Sequence, residues 1–105
     1  MVGSMTNKIA VVFELQVVLW TRIDDHQKRA AAVSDFHLQT EVDAVPAVGV
    51  DIECAPGLQL PVAAVVLWLS TGRYMVHVEN LKYVDVQAYS GCRDLLLAAG
   101  WATCE

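Results

Sequence analysis

Residues 9–20 place an apolar side chain at every odd position, Ile9, Val11, Phe13, Leu15, Val17 and Leu19, while Glu14 and Gln16 occupy the middle of the even row. Successive side chains of a strand point to opposite sides, so the pattern predicts a long strand with one fully buried face. Residues 30–44 repeat it: Ala32, Ser34, Phe36, Leu38, Thr40 and Val42 fall on one side, and Asp35, His37, Gln39, Glu41 and Asp43 on the other. A helix would scatter those charges around its circumference, whereas a strand gathers them. Antiparallel pairing with partner numbers summing to 51 sets Phe13 against Leu38 and Leu15 against Phe36, and leaves Glu14 across from His37. A slip of one residue would break the sorting, while registers shifted by two keep the faces and change the partners. The polar residues 21–29, with His26 among them, read as the connecting loop.

Residues 60–79 read as the hairpin around which the rest is built. Residues 60–69 hold no polar side chain, Ser70-Thr71-Gly72-Arg73 form a turn, and Tyr74-Met75-Val76-His77-Val78-Glu79 return. A strand that is apolar on both sides needs cover on both, from a helix, a second layer or another subunit. A shorter strand precedes it, in which Val48, Val50, Ile52 and Cys54 alternate with Asp51 and Glu53 between Pro46 and Ala55-Pro56-Gly57. Residues 80–89 form either a last edge strand or a connection. A closing helix is expected from an N-cap at Ser90 to Ala99, stopped by Gly100, with Trp101 folding back onto the core. The fold class is therefore α+β: an antiparallel sheet of five or six strands with a C-terminal helix packed on one face.

With 105 residues there is room for one domain. Met1-Val2-Gly3-Ser4 reads as a cloning remnant ahead of a domain over residues 5–105. An apolar fraction of 55% against 18% charged is greasy for so small a chain, and the surplus is most easily hidden between subunits, so a homo-oligomer is expected. The apolar run 58–69 is broken by Gln59 and Pro61 and falls short of the about 20 residues that a bilayer-spanning helix needs. No secretory signal is visible, which makes a soluble cytoplasmic protein the expectation. Cys54, Cys92 and Cys104 are odd in number and widely spaced, and read as reduced thiols. A net charge of −5 disfavours nucleic acid as a partner, and no motif calls for a cofactor.

Between residues 30 and 72 there is no Lys or Arg, yet Asp35, Glu41, Asp43, Asp51 and Glu53 all lie there. A tight turn about Ala47 would set Asp43 against Asp51 and Glu41 against Glu53, and like charges directly opposed are unfavourable. Solvation is the ordinary relief; the others are basic groups from elsewhere or a divalent cation, for which Glu41, Asp43, Asp51 and Glu53 are the candidate ligands. Glu14, Asp35 and His37 make a candidate catalytic cluster, since a carboxylate beside an imidazole orients it and suits acid–base work. The plainer reading is a histidine on a wet sheet face. His77, half-buried in the hairpin, reads as structural. Cys54 and Cys92 read as small core residues, with Arg93 beside Cys92 the one visible activating neighbour of a thiol, and Cys104 as exposed. Trp20, Trp68 and Tyr74 pack in the core by default, or else line a cavity between sheet and helix or an interface.

The opening strand 9–20 and the closing Cys92-Arg93-Asp94-Leu95-Leu96-Leu97-Ala98-Ala99-Gly100-Trp101 segment give a format that resembles the small single-domain proteins of integron gene cassettes. That resemblance implies a bacterial, self-contained and often oligomeric domain, with no assigned activity. The residues themselves suggest a soluble oligomeric binding or protein-interaction domain, using its apolar sheet surface or a cavity under the helix for a small-molecule or protein partner. The alternative is a small enzyme using Glu14, Asp35 and His37. A concave pocket at His37 with a carboxylate in reach would favour the enzyme, and a flat wet face would exclude it.

Overall fold

In the computed structural model, which describes residues 8–22 and 28–103, the hub is strand β1 (Ile9–Arg22) rather than the 60–79 hairpin. His26, Cys104 and the expected remnant at residues 1–4 lie outside the described residues. β1 pairs with β2 (Lys28–Val42) in the expected register, partner numbers summing to 51 from Ile9 with Val42 to Leu19 with Ala32. A bulge between Leu19 and Trp20 then shifts the pairing so that Arg22 meets Lys28. Alternation confines the pairing to registers of this parity, because any odd slip would bring Phe13, Leu15 and Phe36 out of the core.

Three further strands form a meander, β3 (Asp51–Ala55), β4 (Leu58–Trp68) and β5 (Arg73–Val78), each antiparallel to the one before. β5 docks on the free side of β1, so the sheet order is β3-β4-β5-β1-β2, closed by a two-residue β7 (Ala102–Thr103) beyond β2. Past Glu79 and Asn80 the chain continues along β1 as β6 (Leu81–Tyr83). Among the described residues the sheet is therefore mixed and has seven strands, the last two very short, a correction to the expected antiparallel one of five or six. The reason is directional: with β1 to β5 alternating up and down, the fifth strand points the same way as the first, and docking one on the other makes a parallel pair.

β2 and β3 do not pair. The turn at Ala47 forms, with Val50 N–H donating to the Ala47 carbonyl at 3.1 Å and Gly49 at φ +92°, a value that favours glycine. It hands the chain to β4, where Gly49 N–H donates to the Val62 carbonyl at 2.9 Å, and β3 ends on the far side of the sheet.

Helix α1 (Val86–Ala98) begins ahead of the expected Ser90, because Asp85 supplies the cap: its side chain accepts the Gln87 N–H at 3.0 Å. Ser90 and Gly91 sit on its outer side, while Tyr89, Cys92 and Leu96 turn inward. Its C-terminus closes through two hydrogen bonds at 3.1 Å, Gly100 N–H to Leu97 O and Trp101 N–H to Leu96 O, with Gly100 at φ +100°. This reversal drives Trp101 into the core, where its indole N–H donates to the Cys54 carbonyl at 2.8 Å. Val11, Phe13, Leu15, Val17, Phe36, Val62, Val76 and Val78 meet the helix and Trp101 there. The architecture is α+β, mostly strands, with its one described helix near the C-terminus.

No described helix covers the opposite face of the sheet. Of the strand expected to be covered on both sides, Val66 is 43% exposed, Trp68 54% and the following Leu69 86%. β3 reaches only to Pro61 along β4, so beyond the Val62 contacts no described strand pairs with the outer edge of residues 63–68.

Candidate functional site

The open face of the sheet is concave at its centre. Glu14 on β1 lies between His37 on β2 and His77 on β5, and the cross-strand row continues to Ala64 on one side and Ala102 on the other. His77 Nδ1 is 3.2 Å from Glu14 Oε2, with both side chains half-exposed, at 44% and 39%. In the next row Gln16 Nε2 donates to Asp35 Oδ1 at 2.7 Å. At the break between β5 and β6, Asn80 stands in for the missing ladder bond, its Oδ1 accepting the Gln16 backbone N–H at 3.3 Å.

These side chains border an open cavity of about 770 Å³, whose lining includes Glu14, Gln16, Asp35, His37, Ala63, His77, Glu79, Asn80 and Lys82. A bulge at Ala63 between Val62 and Ala64 bends β4 at its rim. The three expected catalytic candidates, Glu14, Asp35 and His37, thus share one concavity. Glu14 has the His77 imidazole within hydrogen-bond reach, while Asp35 accepts from Gln16. His77, expected to be structural, belongs to the site. Nothing in the alternation could have placed it there, because its neighbour is decided by the docking of β5 on β1.

The described lining offers hydrogen-bond donors, acceptors and proton carriers, and no Ser, Thr or Cys side chain. Cys54 and Cys92 are free thiols buried on the helix side. Burial, with Cys92 nearby, pushes the Cys54 thiol up to about 11, which keeps it protonated and inert at neutral pH. The Arg93 guanidinium, next to Cys92 in sequence, lies over the Tyr89 ring, 5.9 Å from its centroid.

The acidic row does not form. Glu41 and Asp43 belong to the end of β2, and Asp51 and Glu53 to β3, with β4, β5 and β1 between the two strands. Asp43 is paired by Lys8, whose Nζ is 2.6 Å from its Oδ1. Among the described residues no group of three or more His, Cys, Asp or Glu is placed to hold a metal ion. The four carboxylates expected to face one another are therefore parted, because the turn at Ala47 leads to β4 and not back along β2. Of the three aromatic side chains expected in the core, a cavity or an interface, Tyr74 packs against the core, Trp68 is exposed, and Trp20 borders a cleft at the end of β1. No described helix is long and apolar enough to cross a membrane.

No family model matches the chain, and no curated protein or solved structure matches it.

Proposed function

We propose that the protein is a small binding domain that takes a polar ligand on the open face of its sheet and works as a homo-oligomer. The reading rests on the row His77, Glu14, His37, which aligns two imidazoles and a carboxylate across three strands at the edge of the 770 Å³ concavity. Such a volume is in the range of small-molecule sites, about 300–1,000 Å³. A ligand bearing both donors and acceptors satisfies this row: Glu14 accepts, and each imidazole donates or accepts according to its tautomer. A thermal-shift screen of small polyols, sugars and amino acids tests it. Binders should raise the midpoint, and Glu14→Gln and His37→Asn should abolish the rise. No binder, or binders indifferent to both substitutions, refutes the reading.

Self-association is supported by the β4 edge. Residues 63–68 combine an edge that no described strand pairs with exposed Val66, Leu67 and Trp68, and no charged side chain falls between Pro61 and Gly72. A second copy therefore meets no like-charge repulsion there.

The enzyme reading keeps one supporting observation, the Glu14–His77 pair beside His37 in a concave site. Its simplest chemistry is general acid–base transfer, with Glu14 and the two imidazoles as the proton carriers. Such a reaction would fall steeply in Glu14→Gln while ligand affinity fell less.

A further inference from the structure

Seven cations stand against twelve acids in this chain, yet Arg22, Lys28, Arg29 and Lys82 gather at one end of the sheet. Arg22 is directly across from Lys28, an arrangement that two like charges disfavour unless an anion or solvent relieves it. Among the described residues, neither they nor Lys82 has an ion pair. Asp24 and Asp25 of the connecting loop are outside the described residues.

The same end is apolar at its base. Trp20, Tyr83 and Val84 line a cleft of about 500 Å³ together with Lys28 and Lys82, and an adjoining hollow adds Thr21 and Arg22. Trp20 and Tyr83 are half-buried, and Val84 is 72% exposed. The cleft opens where the bulge between Leu19 and Trp20 re-aims the strand pair, a device that turns side chains out of the regular pleat. A cleft lined by an indole and, with the adjoining hollow, by Arg22, Lys28 and Lys82 has two complementary parts. The ring takes a flat apolar body by stacking, and the cations take a charge at its edge.

We propose that this cleft binds a planar aromatic anion, a carboxylate or phosphate carried on a ring, with the ring against Trp20 and Val84 and the charge between Arg22, Lys28 and Lys82. The acidic remainder of the surface repels anions in general, so the cleft acts as a local attractor whose strength depends on ionic strength. It is distinct from the concave site around Glu14, although Lys82 borders both.

Titrations with 2-naphthoate, 2-naphthyl phosphate, neutral 2-naphthol and inorganic phosphate, followed by calorimetry on the full chain, test this. At least one naphthyl anion should bind saturably, about tenfold or more tighter than either naphthol or phosphate alone, and should weaken as salt is added. The anion that binds more tightly identifies the charged group. Lys28→Glu with Lys82→Glu should reduce its affinity by about tenfold or more, and Trp20→Ala should do the same without changing the salt dependence. Lys28→Gln and Lys82→Gln, each expected to weaken binding about threefold, serve if the double variant does not fold. Glu14→Gln should leave naphthyl binding intact, which separates this site from the concave one. Naphthol binding as tightly as the anions, affinity unmoved by the lysine variants, or no saturable binding of either anion overturns the proposal.

Discussion

Ser34 and Tyr89, 55 residues apart in sequence, meet hydroxyl to hydroxyl at 2.7 Å inside the core. The contact ties the one described helix to the strand pair that carries Glu14 and His37. Tyr89→Phe and Ser34→Ala should each cost about 1 kcal/mol in urea unfolding, the usual net worth of a buried hydrogen bond. If the contact is a unit, the double variant should cost clearly less than the two singles combined. Full additivity would deny the coupling.

Gly100 holds a left-handed φ of +100° at the end of α1, and no atom stands in the way of an added Cβ. The cost of Gly100→Ala is therefore conformational alone. A loss of about 1 kcal/mol or more in chemical unfolding is expected, together with increased exposure of the Trp101 indole to acrylamide quenching, since this reversal seats Trp101. Unchanged stability would mean that the turn is not required.

Alkaline pH should destabilise the fold in a defined window. Burial pushes the Cys54 thiol from 9.0 to about 11; burial and a hydrogen bond with Cys92 push the Tyr83 phenol from 10.0 to about 12. Below pH 9 both groups keep their protons whether folded or unfolded, and stability is unaffected by them. As pH rises from 9 toward 11 the unfolded chain releases the Cys54 proton while the folded chain retains it, so stability must fall, with Tyr83 extending the loss upward. Urea midpoints measured across that window should drop, and Cys54→Ala should lessen the drop. A flat profile contradicts the burial of these groups.

Light scattering should report a multiple of the 11.5 kDa chain. Trp68→Glu, on an exposed position at the end of β4, should shift the mass to that of a single chain while leaving the far-ultraviolet circular dichroism unchanged. A wild-type monomer would remove self-association from the proposed function.

Millimolar Ca²⁺ or Mg²⁺ should leave the melting midpoint unmoved, because Glu41 and Asp43 are parted from Asp51 and Glu53 by the intervening strands. A rise that disappears in Asp51→Asn would restore the carboxylate site that the strand order denies.

What could be read from the chain alone was what depends on neighbours in sequence. The period-two sorting of 9–20 and 30–44 dictated the two strands and which face each residue takes, because any odd slip would turn Phe13 and Phe36 toward water. The chosen register, with Glu14 opposite His37, is one of those that even shifts leave open, and the bulge after Leu19 was not legible. Gly100 and Trp101 likewise announced the helix end. The start of that helix was missed because Ser90 and Asp85 are both competent caps, and only the inward turn of Tyr89 onto Ser34 chooses between them. Tertiary structure decided the rest: that β3 joins β4 instead of β2, that β5 lies parallel to β1, and that His77 therefore reaches Glu14. Strands with similar apolar faces can pair in many orders, and the choice rests on which long-range docking buries the most surface, a sum over the whole molecule that no local stretch contains.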